Sequence, residues 1–274
     1  MKNFNLILIS FILIPFFGSA QKGFKSLFNG ENLDGWDTYV GPKEKGGSPV
    51  GLNNDPLKIF SITDLDGEKV IHVSGEVFAS LATKKVYENY HIRMVFKWGN
   101  KVYTNLNSGL LYHSFGPFGA GLNVWMSSHE FQLMTEHMGD SYCMGKSYFE
   151  IPVTTSADGK SFTYSPKGEK KEFGDGKFGK NVLKSGDFEK PKGEWNIIDL
   201  YCLDRTSVHV VNGHVVMVNY NSGKIENGIV TPLSKGKIQI QSEGGELFVK
   251  EVKIEKIHKL EIYVIEGNPK VQTK

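Results

Sequence analysis

The sequence has few cysteines, no dominant charge of either sign and almost no long apolar run. Cys143 and Cys202 are the two cysteines among 274 residues, too few for the disulfide framework of a small secreted domain. Spacing alone does not show whether two cysteines approach closely enough to bridge, so a disulfide stays open and two free thiols are favoured. With 32 basic and 30 acidic residues and no dominant basic cluster, a nucleic-acid partner is not expected.

The one long apolar run lies at the amino terminus. Lys2 is followed by an apolar stretch over residues 6–17 and then by Gly18-Ser19-Ala20. A positive start, a short apolar core and small residues before a cleavage point are the features of a secretory signal peptide. The run is shorter than the roughly 20 residues that span a bilayer. We therefore expect residues 1–20 to be removed and the mature protein to be exported, periplasmic or secreted, without membrane insertion.

A 3.6-residue apolar period is missing from the rest of the chain, which argues against long helices. Instead, short alternating runs recur between turn-forming residues, as in 90–96, 196–202 and 237–241. Asn212-Gly213 separates two such runs and favours a type I′ hairpin, because both turn positions need a positive φ. The 31 glycines fit a fold with many tight turns. The pattern predicts an all-β sandwich or barrel.

No linker divides the chain into two domains. We predict one domain over residues 21–260 and a tail over 261–274 that is either disordered or covers a sheet edge. The segment 156–192 is rich in glycine, lysine, aspartate and serine. We expect it to be a long, poorly ordered insertion between strands.

Two strand-like segments carry polar side chains at alternate positions. They are Asn107-Ser-Gly-Leu-Leu-Tyr-His113 and His129-Glu-Phe-Gln-Leu-Met134. Alternate side chains of a strand share a face, so Glu130 is expected to lie beside Gln132. By the same rule, His113 is expected to share a face with Gly109 and Leu111. We interpret these residues as a polar floor on one face of a sheet, suited to a sugar.

Seven motifs, in order, cover nearly the whole mature chain from about residue 24 to 258. They are Leu27-Phe-Asn-Gly-Glu-Asn-Leu-Asp-Gly-Trp36, the two segments just described, Gly139-Asp140, Gly193-Glu-Trp-Asn196, Asn212-Gly213 and Gly236-Lys-Ile-Gln-Ile-Gln-Ser-Glu-Gly244 running into Phe248-Val-Lys-Glu-Val-Lys-Ile254. Together they resemble the 3-keto-disaccharide hydrolase domain family. The resemblance implies a concanavalin-like jelly-roll sandwich of two antiparallel sheets whose concave face holds carbohydrate. It also implies action on glycosides whose C3 hydroxyl is oxidised to a ketone, and it places Gln241 and Glu243 near the cleft as substrate-binding residues.

Cleavage of a 3-keto-glycoside needs an acid, a base and an electrophile rather than the two spaced carboxylates of ordinary glycosidases. The ketone makes the C2 proton acidic, so a base removes it, and a donor, cation or metal ion holds the resulting enolate. An acid helps the group at C1 to leave, and water then adds, which gives net hydrolysis. Glu130 is the first choice for a catalytic carboxylate, because a carboxylate among apolar neighbours needs a partner or an open cleft. His113 is a candidate for the base or for a metal ligand, and Gln132 is a candidate to bind sugar hydroxyls.

Aromatic and metal-binding candidates flank the same segment. Trp125, just before the Glu130 strand, is expected to stack on a sugar ring. His137 and Asp140, with Glu136 beside them, are candidates for a divalent metal ion that Glu130 could also ligate, at a spacing that matches no strong metal signature.

Two other functions stay open. One is a laminarinase-type glucanase on the same jelly roll, whose strand carries a Glu-x-Asp-x-x-Glu pattern. Here Glu130-Phe-Gln-Leu-Met-Thr-Glu136 has an amide in the middle and its last glutamate one position late, which argues against that mechanism. The other is a non-catalytic carbohydrate-binding module, since a fold does not fix a function.

Overall fold

A computed structural model describes residues 23–177, 179–265 and 268–273. The expected signal peptide, residues 1–20, lies outside the described residues. The described part of the chain consists of strands, turns and loops and has no helix, so the predicted all-β class is confirmed. Accordingly, it offers no helix of the length and apolarity needed to cross a membrane.

Two large antiparallel sheets and one hairpin contain the strands. In chain order the strands are β1 (Lys25–Ser26), β2 (Trp36–Pro42), β3 (Pro49–Leu52), β4 (Phe60–Leu65), β5 (Glu68–Val73), β6 (Ala79–Thr83), β7 (Tyr87–Glu88), β8 (Tyr90–Val102), β9 (Gly109–Phe115), β10 (Ser127–Gln132), β11 (Ser141–Met144), β12 (Ser147–Thr155), β13 (Phe162–Tyr164), β14 (Glu169–Gly174), β15 (Asn181–Val182), β16 (Asn196–Leu203), β17 (Thr206–Val211), β18 (His214–Glu226), β19 (Ile229–Pro232), β20 (Lys235–Ser242), β21 (Gly245–Lys256), β22 (Leu260–Ile265) and β23 (Asn268–Thr273).

The first sheet has twelve strands in the order β13-β12-β18-β17-β16-β8-β21-β5-β4, with β1 beside β21, β14 beside β12 and β19 beside β18. The second has nine strands in the order β15-β11-β10-β9-β20-β6-β2-β3, with β7 beside β20. This is the predicted sandwich of two antiparallel sheets.

Alternation along the strands builds the core between the two sheets. Leu110 and Tyr112 of β9 in the nine-stranded sheet and Ile198 and Leu200 of β16 in the twelve-stranded sheet belong to one buried cluster. Burying each aliphatic side chain of this kind contributes about 1.5–3 kcal/mol. Leu111, which lies between Leu110 and Tyr112 on β9, faces the opposite side of the nine-stranded sheet. That side is not part of this core.

Local turn chemistry matches the sequence at the hairpin between β17 and β18. Asn212 and Gly213 have φ values of 48° and 84°, and both are therefore positive, as a type I′ turn requires. Two other segments contain more strand structure than the sequence predicted. The segment 156–192 contains β13, β14 and β15, and within the expected tail at 261–274 the described residues of β22 and β23 pair with each other.

The two cysteines stay apart. Cys143 on β11 and Cys202 on β16 are both buried and free, so the favoured prediction of two free thiols is confirmed. They stand on different sheets.

Candidate functional site

One face of the nine-stranded sheet points away from the core and carries a set of polar side chains. Glu130 on β10 pairs with Leu111 on β9, and Gln132 pairs with Gly109. Gln241 lies on β20, the neighbour of β9 on its other side. We call the face that carries Gly109, Leu111, Glu130, Gln132 and Gln241 the polar face. The prediction that Glu130 and Gln132 share a face is confirmed.

Gly109 leaves a gap at the centre of the polar face. A Cβ atom at this position would lie 2.5 Å from Oε1 of Glu130 and closer still to Oε1 of Gln241. Any side chain at position 109 would therefore displace both groups. The missing side chain lets a carboxyl group and an amide from the two flanking strands come together above β9.

The groups around this gap lack protein partners. Among the residues that the structure describes, Oε1 of Glu130 and both amide atoms of Gln241 are buried without a hydrogen bond. Gln239, two residues earlier on β20, differs, because its Oε1 accepts from Ser80 at 2.7 Å and its Nε2 donates to Ser114 at 2.8 Å. A buried polar atom without a partner costs about 1–3 kcal/mol. A polar ligand above Gly109 would recover that free energy.

Glu243 completes a carboxyl pair with Glu130. Glu130 is 2% exposed, and burial together with the negative charge of Glu243 raises the pKa of its carboxyl well above the usual range. Burial raises the pKa of Glu243 to about 7. Two carboxyl groups in this arrangement retain a proton near neutral pH, because ionising both would bring like charges together in a medium of low dielectric. One group is then an acid and the other a base.

Tyr142 is a site residue that the sequence analysis missed. It pairs with Glu130 across β10 and β11 and is half-buried. Burial raises the pKa of its phenol, and the charges of Asp140, Glu130 and Glu243 raise it further. The phenol therefore remains a hydrogen-bond donor beside the carboxyl pair. The available signal was the strand-like run 141–144, which a hairpin after β10 brings alongside Glu130.

Gln132 has a local role at the end of β10. Its Oε1 accepts the N–H groups of Leu133 at 2.8 Å and Met134 at 2.9 Å. These bonds hold the chain as it leaves the strand. With Oε1 engaged, the amide nitrogen is the other polar group of the Gln132 side chain.

The expectation that His113 shares the polar face is wrong. The pairing of β9 shifts by one residue against both β10 and β20 at this point, and His113 has a φ of 49°. Such a β-bulge reorients a side chain, and here the ring contacts Tyr90 and approaches Ser222, both on the twelve-stranded sheet. Burial lowers the pKa of His113 to about 3. His113 is a neutral residue between the sheets, on the opposite side of β9 from Glu130.

The expectation that Trp125 offers its ring to a sugar is also wrong. The side chain has no exposed surface and packs with Leu111 and Val124. Its Nε1 donates to the carbonyl oxygen of Ala79 at 3.0 Å. Phe78 lies against the ring with the two centroids 5.5 Å apart, so Phe78 is the aromatic residue that reaches the surface here.

The proposed metal ligands form a turn instead. Nδ1 of His137 lies 2.8 Å from Oδ2 of Asp140, and Oδ1 of Asp140 accepts the N–H of Lys184 at 2.8 Å. Both oxygens of Asp140 therefore have protein partners, which closes the connection between β10 and β11. Across the described ranges, no three His, Cys, Asp or Glu side chains are grouped so that they could hold a metal ion. The side chains present do not fit the expected divalent metal site.

Comparison with known proteins gives the family. A family model for the 3-keto-alpha-glucoside-1,2-lyase-like domain matches residues 23–255. A search of curated proteins found no match. Among solved structures, a "putative glycosyl hydrolase" from Parabacteroides distasonis is similar at 20% identity, over 86% of this chain and 94% of that one, with a TM-score of 0.48.

Two Bacillus subtilis structures are also similar. One is a protein of unknown function with a galectin-like fold, at 11% identity over 81% of this chain and 89% of that one, with a TM-score of 0.43. The other is the carbohydrate binding module CBM66, at 6% identity over 72% and 92%, with a TM-score of 0.43. Because the family model covers most of the sequence, the chain belongs to the 3-keto-alpha-glucoside-1,2-lyase-like domain family, and its function is carbohydrate-active.

Proposed function

We propose that this protein cleaves 3-keto-glycosides by elimination across C1 and C2 followed by hydration, with Glu130 and Glu243 as the acid and the base. The observation that carries the proposal is the pair of carboxyl groups formed by Glu130, which adjoins Gly109, and Glu243, with burial raising the pKa of both. Such a pair supplies a proton donor and a proton acceptor at the same pH. Family membership supports the class of substrate.

The elimination step uses both carboxyl groups. Glu243, with its pKa of about 7, is ionised more readily and takes the C2 proton, which leaves an enolate across C2 and C3. The enolate electrons then form the C1–C2 double bond and restore the ketone as the C1–O bond breaks. Glu130, which burial keeps protonated, gives its proton to the departing oxygen.

Hydration returns both groups to their starting states. Glu130 is now ionised and accepts a proton from the water molecule whose oxygen adds to C1. Glu243 is now protonated and returns its proton to C2. The net result is hydrolysis, and no group of the protein is consumed.

The enolate needs hydrogen-bond donors at the C3 oxygen. Nε2 of Gln241 is buried without a partner in the described chain, and the phenol of Tyr142 stays protonated next to the carboxyl pair. Donors aimed at a developing negative charge typically contribute about 10²–10³ in rate each. We assign this role to Gln241 and Tyr142.

The test is incubation of the protein with a 3-keto-glucoside, with and without EDTA, beside the unoxidised glucoside. We expect release of the aglycone from the ketone alone. Glu130→Gln and Glu243→Gln should each lower kcat by about 10²–10⁴. Glu68→Gln is the control, because Glu68 is an exposed carboxylate on β5 of the other sheet.

The outcomes separate the possibilities. Absence of turnover by the wild-type protein under every metal condition would overturn the proposal. Turnover that EDTA abolishes would show that a metal ion takes part and would require ligands other than the His137–Asp140 pair.

The near-complete burial of Glu130, at 2% exposure, favours one further candidate, a non-catalytic carbohydrate-binding module. In that case Glu130 would only order the polar face. Binding of a glycan with equal affinity by the wild-type protein and Glu130→Gln, without turnover, would support it. The glucanase alternative is weakened, because Glu136 has a φ of 71° and lies after the end of β10, away from the strand on which its mechanism would need a second acid.

A further inference from the structure

A cavity of about 340 Å³ has Val124 in its lining, and Val124 packs with Leu111 of the polar face. Three segments line it, residues 42–46, 76–78 and 122–124. Phe78 is 36% exposed and Leu122 is 66% exposed, so the cavity has an apolar wall. Lys43, Glu44, Lys45, Glu76 and Asn123 add charged and amide side chains to the lining, which is the mixture that a sugar needs.

The register of β6 and β20 places this cavity next to the carboxyl pair. Ala79 pairs with Ser242, and the hydroxyl of Ser242 donates to the carbonyl oxygen of Val77 at 2.7 Å. Phe78 directly precedes Ala79, and Glu243 directly follows Ser242. Phe78 and Glu243 are therefore the residues that adjoin the last pair of this ladder.

Phe78 faces the same side of the sheet as the carboxyl pair. It lies two residues from Ser80, whose hydroxyl reaches Gln239 beside the polar face. Its ring packs against the ring of Trp125, with an angle of 32° between the two planes. Trp125 in turn contacts Leu111, the strand partner of Glu130. A chain of side-chain contacts thus connects Phe78 with the strand partner of Glu130.

The chemistry of the lining points to a pyranose. An aromatic ring suits the apolar C–H face of a sugar. Lys43, Glu44, Lys45 and Asn123 line the same cavity and can donate to or accept from hydroxyl groups. A volume of about 340 Å³ lies within the range of small-ligand pockets.

We propose that this cavity is the subsite for the leaving-group sugar of a 3-keto-disaccharide, with Phe78 as its stacking residue. The inference rests on the proposed function. With the ketone-bearing ring over the side chains of Glu130 and Gln241 and the carboxyl pair at the glycosidic bond, the second ring continues across β20 to β6 and meets Phe78. The protein is then selective for disaccharides over glycosides with a small leaving group.

The test compares two substrates, a 3-keto-disaccharide and a methyl 3-keto-glucoside. Phe78→Ala should raise KM for the disaccharide about tenfold, the upper range for one aromatic contact, and leave the methyl glycoside within twofold. Phe78→Leu keeps an apolar cover over Trp125 and should give the same pattern, which separates lost stacking from lost folding. Ile229→Ala is the matched control, because Ile229 is an exposed apolar residue on β19 of the twelve-stranded sheet.

Equal changes for the two substrates, or none for either, would overturn the subsite. If neither ketone is turned over, the proposed function fails and binding decides the subsite separately. Titration with the unoxidised disaccharide and its monosaccharide should then show weaker disaccharide binding by Phe78→Leu alone. Identical disaccharide affinity of wild type, Phe78→Leu and Ile229→Ala, or absence of binding to all three, would reject the subsite.

Discussion

Glu130 and Glu243 interact across strand β9, which contains neither residue. Glu130 lies on β10 and Glu243 directly follows β20, with β9 between these strands. The negative charge of Glu243 nevertheless raises the pKa of Glu130. Between these strands β9 contributes a glycine, Gly109, where any other residue would place a side chain against Oε1 of Glu130 and Oε1 of Gln241.

Gly109→Ala should therefore impair catalysis more than folding. The new methyl group would displace Oε1 of Glu130 and of Gln241, but both are ends of side chains that can rotate away. We expect kcat/KM on a 3-keto-glucoside to fall at least about tenfold, with a loss of unfolding free energy of about 1–3 kcal/mol. Enzyme kinetics and denaturant unfolding measure the two quantities.

The control for that variant is Gly186→Ala. Its Cβ would meet only the ring of Phe188, at 3.0 Å, in the loop before β16. It should leave kcat/KM unchanged. Full activity in Gly109→Ala would contradict the role of the gap.

The free energy of unfolding should depend on pH because of the carboxyl pair. Burial raises the pKa of Glu243 from 4.5 to about 7, so the folded state binds a proton that the unfolded state has lost. Its contribution to the free energy of unfolding is complete below pH 4.5 and disappears as the pH rises to about 7. As the pH rises through this window, the free energy of unfolding of the wild type should fall relative to that of Glu243→Gln by up to about 1.4 kcal/mol per pH unit.

The variant is needed because buried histidines act in the opposite direction. Burial lowers the pKa of His113 and His209 from 6.5 to about 3, so their contribution is complete above pH 6.5 and is lost as the pH falls toward 3. Denaturant unfolding at several pH values, with Glu68→Gln as the control, separates the two effects. A difference between wild type and Glu243→Gln that does not change with pH would show that Glu243 titrates normally.

His113→Asn tests on which side of β9 this residue lies. Asparagine tolerates the positive φ at this position, and the ring contacts only groups between the sheets. We expect kcat to stay within threefold of wild type, while the free energy of unfolding falls by about 0.5–3 kcal/mol. A loss of kcat as large as in Glu130→Gln, in protein with a native circular dichroism spectrum, would return His113 to the catalytic machinery.

The two thiols should be inert in the folded protein. Burial raises the pKa of Cys143 to about 12 and raises that of Cys202 as well, and the thiolate is the reactive form. We expect iodoacetamide to modify neither cysteine under native conditions and both after unfolding, as mass spectrometry can count. A mass two units lower before reduction would instead reveal a disulfide.

Strand alternation in the sequence predicted the all-β fold and the shared face of Glu130 and Gln132. The run from His129 to Met134 places Glu130 and Gln132 on one face, because a regular strand obeys the two-residue period. His113 breaks that period through a bulge with a non-glycine residue at positive φ. Pairing with β10 and β20 on both sides of β9 creates that bulge, and the sequence of β9 alone carries no sign of it.

The other differences between prediction and structure depend on which side chains come together in the folded sheet. Trp125 has the residue type that stacks on sugars, but Phe78, Leu111 and Val124 cover it, and two of these come from distant segments. Tyr142 gains its position from the register of β11 against β10. Such contacts depend on which strands become neighbours, and that choice is made by the whole sheet.

Tyr112 connects the interior of the sandwich to this chemistry. Its hydroxyl lies 2.8 Å from Oγ of Ser207 and 3.0 Å from Nδ2 of Asn219, both on the twelve-stranded sheet. Leu111, its neighbour along β9, lies opposite Glu130. The spacing of the two sheets therefore also sets the height of the polar face, and under the proposed function we expect a substitution deep inside the sandwich to alter sugar cleavage without touching any group that meets the sugar.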